Sequence, residues 1–122
     1  MATVREISAF GNRVVVTGIG LITPLGIGTD ETWNNLIAGR SGISNVASFD
    51  ATGYPCRVAG EIKNFNPLDF VSSKIAKRND PYSLFALAAA RFAIGDANLD
   101  FASVDRTRFG VIVGSGVGGM FT

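Results

Sequence analysis

A chain of 122 residues, 47% apolar and only 17% charged, is long enough for one domain and apolar enough to bury a core, which excludes a disordered tail or linker. Eleven basic residues against ten acidic leave a net charge of +1 with no block of like charge, so a general polyanion-binding surface is excluded. One cysteine, Cys56, and no histidine rule out an intrachain disulfide framework and argue against a tetrahedral zinc site.

In chain order, Arg13 to Thr17 is a β-branched run closed by Gly18 and Gly20, which predicts a core strand buried on both faces. Pro24, Gly26 and Gly28 then favour an irregular packed loop. A helix is expected from Thr29 and Asp30 to Gly39. Thr29 would accept a bond from an orphan backbone N–H, Asp30 and Glu31 suit the positive end of the dipole, and Trp33, Leu36 and Ile37 share an apolar face. Ser41 to Ala59 reads as an extended surface excursion, with a short strand over Arg57 to Ile62.

Asn66-Pro67-Leu68-Asp69 supplies a cap, a proline at the first helical position and an acid in the first turn, opening a short helix toward Lys77. Asp80-Pro81 repeats the signal. The residue before a proline is pushed out of the helical region, so the chain breaks at Asp80 and restarts as a helix from Pro81 to about Ala97. That helix carries Tyr82, Leu84, Phe85, Leu87, Phe92 and Ile94 on nearly all sides and is expected to be mostly buried, with Asn98 as a left-handed terminator. After a polar connection, Arg108 to Val113 predicts a second buried strand leading into Gly114-Ser-Gly-Val-Gly-Gly119.

Two buried strands with helices between them predict an α/β layered domain. A sheet of two or three strands leaves open edges and too little surface to cover so apolar a helix, so the chain is expected to be the N-terminal piece of a longer protein. The apolar stretch Leu84 to Ala90 is far shorter than the roughly 18 residues of a membrane-spanning helix. The first dozen residues lack the apolar block of a secretory signal. A cytoplasmic setting, with neither membrane nor nucleic acid as partner, is the expectation.

Three constellations bear on chemistry. Gly114, Gly116 and Gly119 satisfy G-x-G-x-x-G directly after the second predicted strand, the setting of a dinucleotide-binding turn and equally of a tightly packed one. Lys74, Lys77 and Arg78, at i, i+3 and i+4, project from one face of a short helix. They suit either an acidic partner or a solvated helix end whose cations complement the dipole. Cys56 sits between Pro55 and Arg57 with no recognisable base in reach, which favours an incidental thiol over a nucleophile.

Taken together, Arg13-Val-Val-Val-Thr-Gly-Ile-Gly20, Thr23-Pro-Leu-Gly26, Trp33 with Leu36, Gly39-Arg-Ser-Gly-Ile43, Phe49-Asp50, Ala59-Gly60 and Gly114 to Gly119 resemble the opening of the β-ketoacyl-acyl-carrier-protein synthases, closest to the synthase II type of fatty-acid elongation. The resemblance implies part of the N-terminal half of a thiolase-like α-β-α-β-α layered fold, with residues 1–12 as an N-terminal extension and 13–122 as an incomplete N-terminal part of the synthase domain. It implies a homodimeric acyltransferase that needs no cofactor or metal. The implied reaction is decarboxylative condensation of an acyl thioester with malonyl-acyl carrier protein, using a nucleophilic cysteine and two histidines that the family pattern puts beyond Thr122. Cys56 does not match the nucleophile's motif, so the chain alone is expected to be inactive.

Residue by residue, the resemblance makes Lys74, Lys77 and Arg78 a docking site for the acidic helix of acyl carrier protein. It makes Val117 a wall of the acyl pocket near the dimer interface, where a larger side chain would shorten the acceptable chain. Pro81 and the extra residues Met1 to Asn12 depart from the usual pattern. Alternatives are a polyketide ketosynthase or its chain-length partner and, from other classes, a dinucleotide-binding module or a non-catalytic docking module for carrier protein.

Overall fold

Between Ile22 and Ile27 the chain reverses direction at Pro24 and Leu25. In the computed structural model, which describes residues 14–119, two short strands flank this turn, β1 (Ile22–Thr23) and β2 (Gly26–Ile27). They pair antiparallel with Ile22 opposite Ile27. The Thr23 hydroxyl accepts the Leu25 N–H at 3.1 Å and so closes the turn from inside. A packed irregular loop was the expectation; a hairpin this short leaves no period-two pattern to read.

Helix α1 (Thr29–Ile37) follows, starting and ending where the sequence places it. Its start is built differently. Gly28, at φ 98°, is the cap residue, and the Thr29 hydroxyl donates backward to the Ile19 carbonyl at 3.1 Å rather than capping. The Glu31 carboxylate accepts the Ile27 N–H at 2.9 Å, an acid at the positive end of the helix.

The apolar face read for α1 is also corrected. Trp33, Leu36 and Ile37 are 59%, 54% and 65% exposed, whereas Thr32 is buried. The helix is drawn onto its own hairpin by hydrogen bonds: the Thr32 hydroxyl lies 3.2 Å from the Gly26 carbonyl and 3.1 Å from the Thr23 hydroxyl, and Asn35 donates to the Leu25 carbonyl at 2.6 Å. Those bonds turn the polar side inward.

The strand expected over Arg57 to Ile62 is present as β4 (Val58–Gly60), and it pairs antiparallel with β3 (Ile43–Asn45), which lies in the stretch read as an irregular excursion. Glu61 secures the loop between them. Its carboxylate accepts the Ala47 N–H at 2.9 Å, the Ser48 N–H at 3.1 Å and the Ser48 hydroxyl at 2.5 Å. The Ser48 hydroxyl first, then the two amides and the nearby Lys63 charge, hold this carboxyl below its ordinary range.

The single short helix expected from Pro67 toward Lys77 is split into a 3₁₀ turn, Pro67–Asp69, and helix α2 (Ser73–Ala76). Asn66 caps the turn by accepting the Leu68 N–H at 3.2 Å. The break falls at Ser72, whose backbone is extended at φ −66°, ψ 154°. Helix α3 (Pro81–Asp96) restarts after extended Asp80, as the Asp-Pro step requires, and Asn98 ends the segment in the left-handed region at φ 46°.

Helix α3 is the central element, but it is less covered than its composition suggested. Leu84 and Ala88 are its buried residues, while Tyr82 and Leu87 are 41% and 46% exposed. One side is covered closely by residues 18–20. A Cβ placed on Gly20 would overlap the Ala89 carbonyl oxygen and lie 2.9 Å from the Phe92 Cβ, and one on Gly18 would lie 2.7 Å from the Ala97 Cβ. Asp96 fixes the approach by accepting the Ile19 N–H at 2.8 Å.

Neither long strand predicted from sequence is a strand among the described residues. Val14, Val15 and Val16 are 95%, 67% and 80% exposed, and Val111, Ile112 and Val113 are 79%, 100% and 65% exposed; Arg13 lies outside the described residues. A strand buried on both faces takes its geometry from neighbouring strands and from layers above and below. The described residues supply neither, so the α/β layers read from the sequence are here reduced to helices and two small antiparallel pairs.

Candidate functional site

The cationic segment is built by local rules. Ser72 opens α2, the helical backbone continues through Lys77 at φ −75°, ψ −14°, and the Arg78 N–H bonds to the Ile75 carbonyl at 3.1 Å. Asn79 closes the end by donating to the same carbonyl at 2.8 Å. Lys74, Lys77 and Arg78 therefore share one stretch of about a turn and a half, all three exposed. Their charge is left facing solvent, the condition for recognising an acidic partner.

The segment is attached to the body through aromatic rings. Phe65 and Phe70 stack at 5.4 Å, Phe65 meets Phe85 edge-on at 4.9 Å, and Phe70 meets Phe92 edge-on at 5.4 Å. Phe85 and Phe92 belong to α3. Beside this cluster a groove of about 720 Å³ runs between the start of α1 and the end of α3, lined by Gly28, Glu31, Asp69, Phe70, Arg91 and Asp96 among others. Asp30 is another of its carboxylates, and the other three serve the backbone and loops: Glu31 and Asp96 accept main-chain N–H groups, and Asp69 accepts the Asn66 amide at 2.8 Å. Sequence reading missed Phe70 and Arg91, because their meeting depends on contacts 21 residues apart.

The remaining residues singled out are dispersed. Cys56 is exposed, with its thiol 3.6 Å from the Val58 carbonyl, and among the described residues no group of His, Cys, Asp or Glu is arranged to hold a metal ion. Val117 is 74% exposed. The glycine run is irregular: Gly118 presses on the Tyr82 ring, where an added Cβ would lie 2.9 Å from its Cζ, and Gly119 has φ 72°. Asp105 caps a second 3₁₀ turn, Arg106–Arg108, and the Thr107 hydroxyl and amide that it accepts lower its pKa. No helix among the described residues is long and apolar enough to cross a membrane.

The ordered series of motifs agrees with what comparison with known proteins finds. The family model for the β-ketoacyl synthase N-terminal domain matches residues 11–121, and the chain belongs to that family. Within it, the chain is similar to 3-oxoacyl-[acyl-carrier-protein] synthase 2 of Synechocystis sp., at 43% identity over 108 residues, covering 88% of this chain and 26% of that protein. The chain spans about a quarter of the length of the curated relatives it matches.

Among solved structures, the ishigamide ketosynthase/chain length factor superposes with a TM-score of 0.66 at 33% identity, covering 74% of this chain and 22% of that one. A type II polyketide synthase acyl-carrier protein in complex with its ketosynthase, bound to the hexaketide, superposes with a TM-score of 0.60 at 35% identity, covering 79% of this chain and 21% of that one. The fold class is thus α/β, part of the N-terminal half of the thiolase-like layered architecture. The glycine run falls inside the family match.

Proposed function

We propose that this chain is the N-terminal portion of a 3-oxoacyl-[acyl-carrier-protein] synthase that lengthens acyl chains in fatty acid biosynthesis, with residues 13–122 as the incomplete synthase domain and 1–12 as an extension outside the described residues. The observation that carries the reading is the family match along residues 11–121 together with 43% identity to a synthase 2. In the reaction, a cysteine thiol takes the acyl group from carrier protein, forming a thioester and releasing the carrier thiol. Malonyl-carrier protein loses carbon dioxide, and its carbanion attacks the thioester carbonyl, expelling the cysteine thiolate and leaving a 3-ketoacyl product two carbons longer. The nucleophile and the two assisting histidines belong to the part of such an enzyme downstream of Thr122, so this chain alone is inactive. The complete enzyme is a cytoplasmic homodimer without cofactor or metal, its substrates acyl- and malonyl-acyl carrier protein.

This chain's own contribution is recognition. Lys74, Lys77 and Arg78 form the docking site for acyl carrier protein, supported by their shared exposed turn. Lys77 carries charge without the planar fork of arginine, so its contact is a point charge. Val117 lines the acyl pocket near the dimer interface, and its exposure leaves it available to a covering surface.

The test is charge reversal of Lys74, Lys77 and Arg78 to Glu, with binding of acyl carrier protein measured by fluorescence anisotropy over a salt series. Wild-type affinity is expected to fall as salt rises, since exposed charges are screened beyond about 10 Å at 0.1 M, and the reversed variant should not bind. Equal binding by both chains would refute the docking site. A polyketide ketosynthase or chain-length factor is the second reading, favoured by the 33% and 35% identities of the structural neighbours and separated by assaying whether the whole synthase reduces its substrate range to simple acyl chains.

A further inference from the structure

Helix α2 and the 3₁₀ turn before it bury none of their own residues. Leu68 and Ile75 are 58% and 42% exposed, and the element α2 packs on most is that turn. Local hydrogen bonds give the segment its shape but do not fix where it sits. Among the described residues, the hydrogen bond that joins residues 66–79 to the rest of the molecule is Arg91 Nη1 donating to the Phe70 carbonyl at 3.1 Å. The Phe70 ring adds the second attachment, stacked on Phe65 and edge-on to Phe92 of α3.

We infer that Phe70 and Arg91 are positioning residues for carrier-protein recognition: they hold the cationic turn in one place relative to α3, so that Lys74, Lys77 and Arg78 meet an acidic helix without first being ordered. This rests on the docking reading above. Arg91 acts here through its bond to a backbone carbonyl, and Phe70 is neutral, so neither needs to touch the partner. A segment released from these attachments keeps its three charges but must be immobilised on binding, which weakens affinity.

The experiment compares Arg91→Met, Arg91→Lys, Phe70→Ala and Phe70→Tyr with the wild-type chain, reading affinity for holo-acyl carrier protein by anisotropy and helix content by circular dichroism. Arg91→Met and Phe70→Ala are expected to weaken binding about tenfold with helix content unchanged. Arg91→Lys, which keeps a donor, and Phe70→Tyr, which keeps the ring, should restore most of it. If Phe70→Ala unfolds the chain, the exposed Arg91 pair carries the test. Wild-type affinity in Arg91→Met overturns the inference and leaves the docking site standing if the charge-reversed variant has lost binding. Wild-type chain that fails to bind, or binds regardless of charge reversal, overturns the docking reading and this inference with it.

Discussion

The close approach of residues 18–20 to α3 makes a sharp prediction for a single methyl group. In Gly20→Ala the new Cβ overlaps the Ala89 carbonyl oxygen and lies within 2.5 Å of the Ala93 nitrogen and 2.9 Å of the Phe92 Cβ. Two of these three are helix backbone, so no flexible side-chain tip can swing away, and relief requires the segment and α3 to move apart. Gly20 is not among the glycines with positive φ, so the cost is steric rather than conformational. Overpacking of this kind costs about 1–3 kcal/mol.

Gly95→Ala is the internal control. It lies in α3 with open space around the added Cβ, and there alanine should stabilise the helix by about 0.5–1 kcal/mol. Urea unfolding of the three chains, followed by the helical circular dichroism signal, reads both effects as shifts of midpoint at constant slope. Gly20→Ala is expected below wild type and Gly95→Ala above it. A Gly20→Ala midpoint equal to or above wild type would refute the tight packing of residues 18–20 on α3.

Two further outcomes follow from polar groups. Thr32→Val keeps the shape of a buried side chain but removes the hydroxyl shared with Gly26 and Thr23, and should cost about 1–3 kcal/mol in the same urea assay; an unchanged midpoint would show that the hydrogen bonds do not hold α1 on its hairpin. Glu61 has a lowered folded-state pKa, so its contribution is full above the ordinary glutamate value and is lost as pH falls through the lowered one. A pH titration followed by the Ala47 and Ser48 amide resonances should give an apparent pKa below that of free glutamate, and one at or above it would contradict the carboxylate clamp.

What could be read from the sequence divides along the range of the forces involved. The Asp80-Pro81 restart and the left-handed Asn98 are set by residues within a turn of one another, and each is found where expected. The apolar runs at residues 13–17 and 108–113 state what a strand would bury but not which strand it pairs with. The apolar stripe of Trp33, Leu36 and Ile37 misled because α1 is oriented by Thr32 and Asn35 hydrogen bonds to a hairpin too short to predict. In the site, Lys74 lies in α2 while Lys77 is its C-cap and Arg78 lies past it, so the helix is shorter than the spacing of the three implies. The Phe70 and Arg91 attachment was invisible, as nothing at either residue announces a partner 21 positions away.

The two valine-rich ribbons carry a consequence for handling this chain. Val14 to Val16 and Val111 to Val113 present β-branched side chains and unladdered backbone to water. Such a ribbon accepts whichever strand arrives first. Zippering with a stretch of the same polypeptide is independent of dilution, whereas self-association grows with protein concentration, so the fate of these ribbons is a kinetic race. Expression level and temperature set its winner.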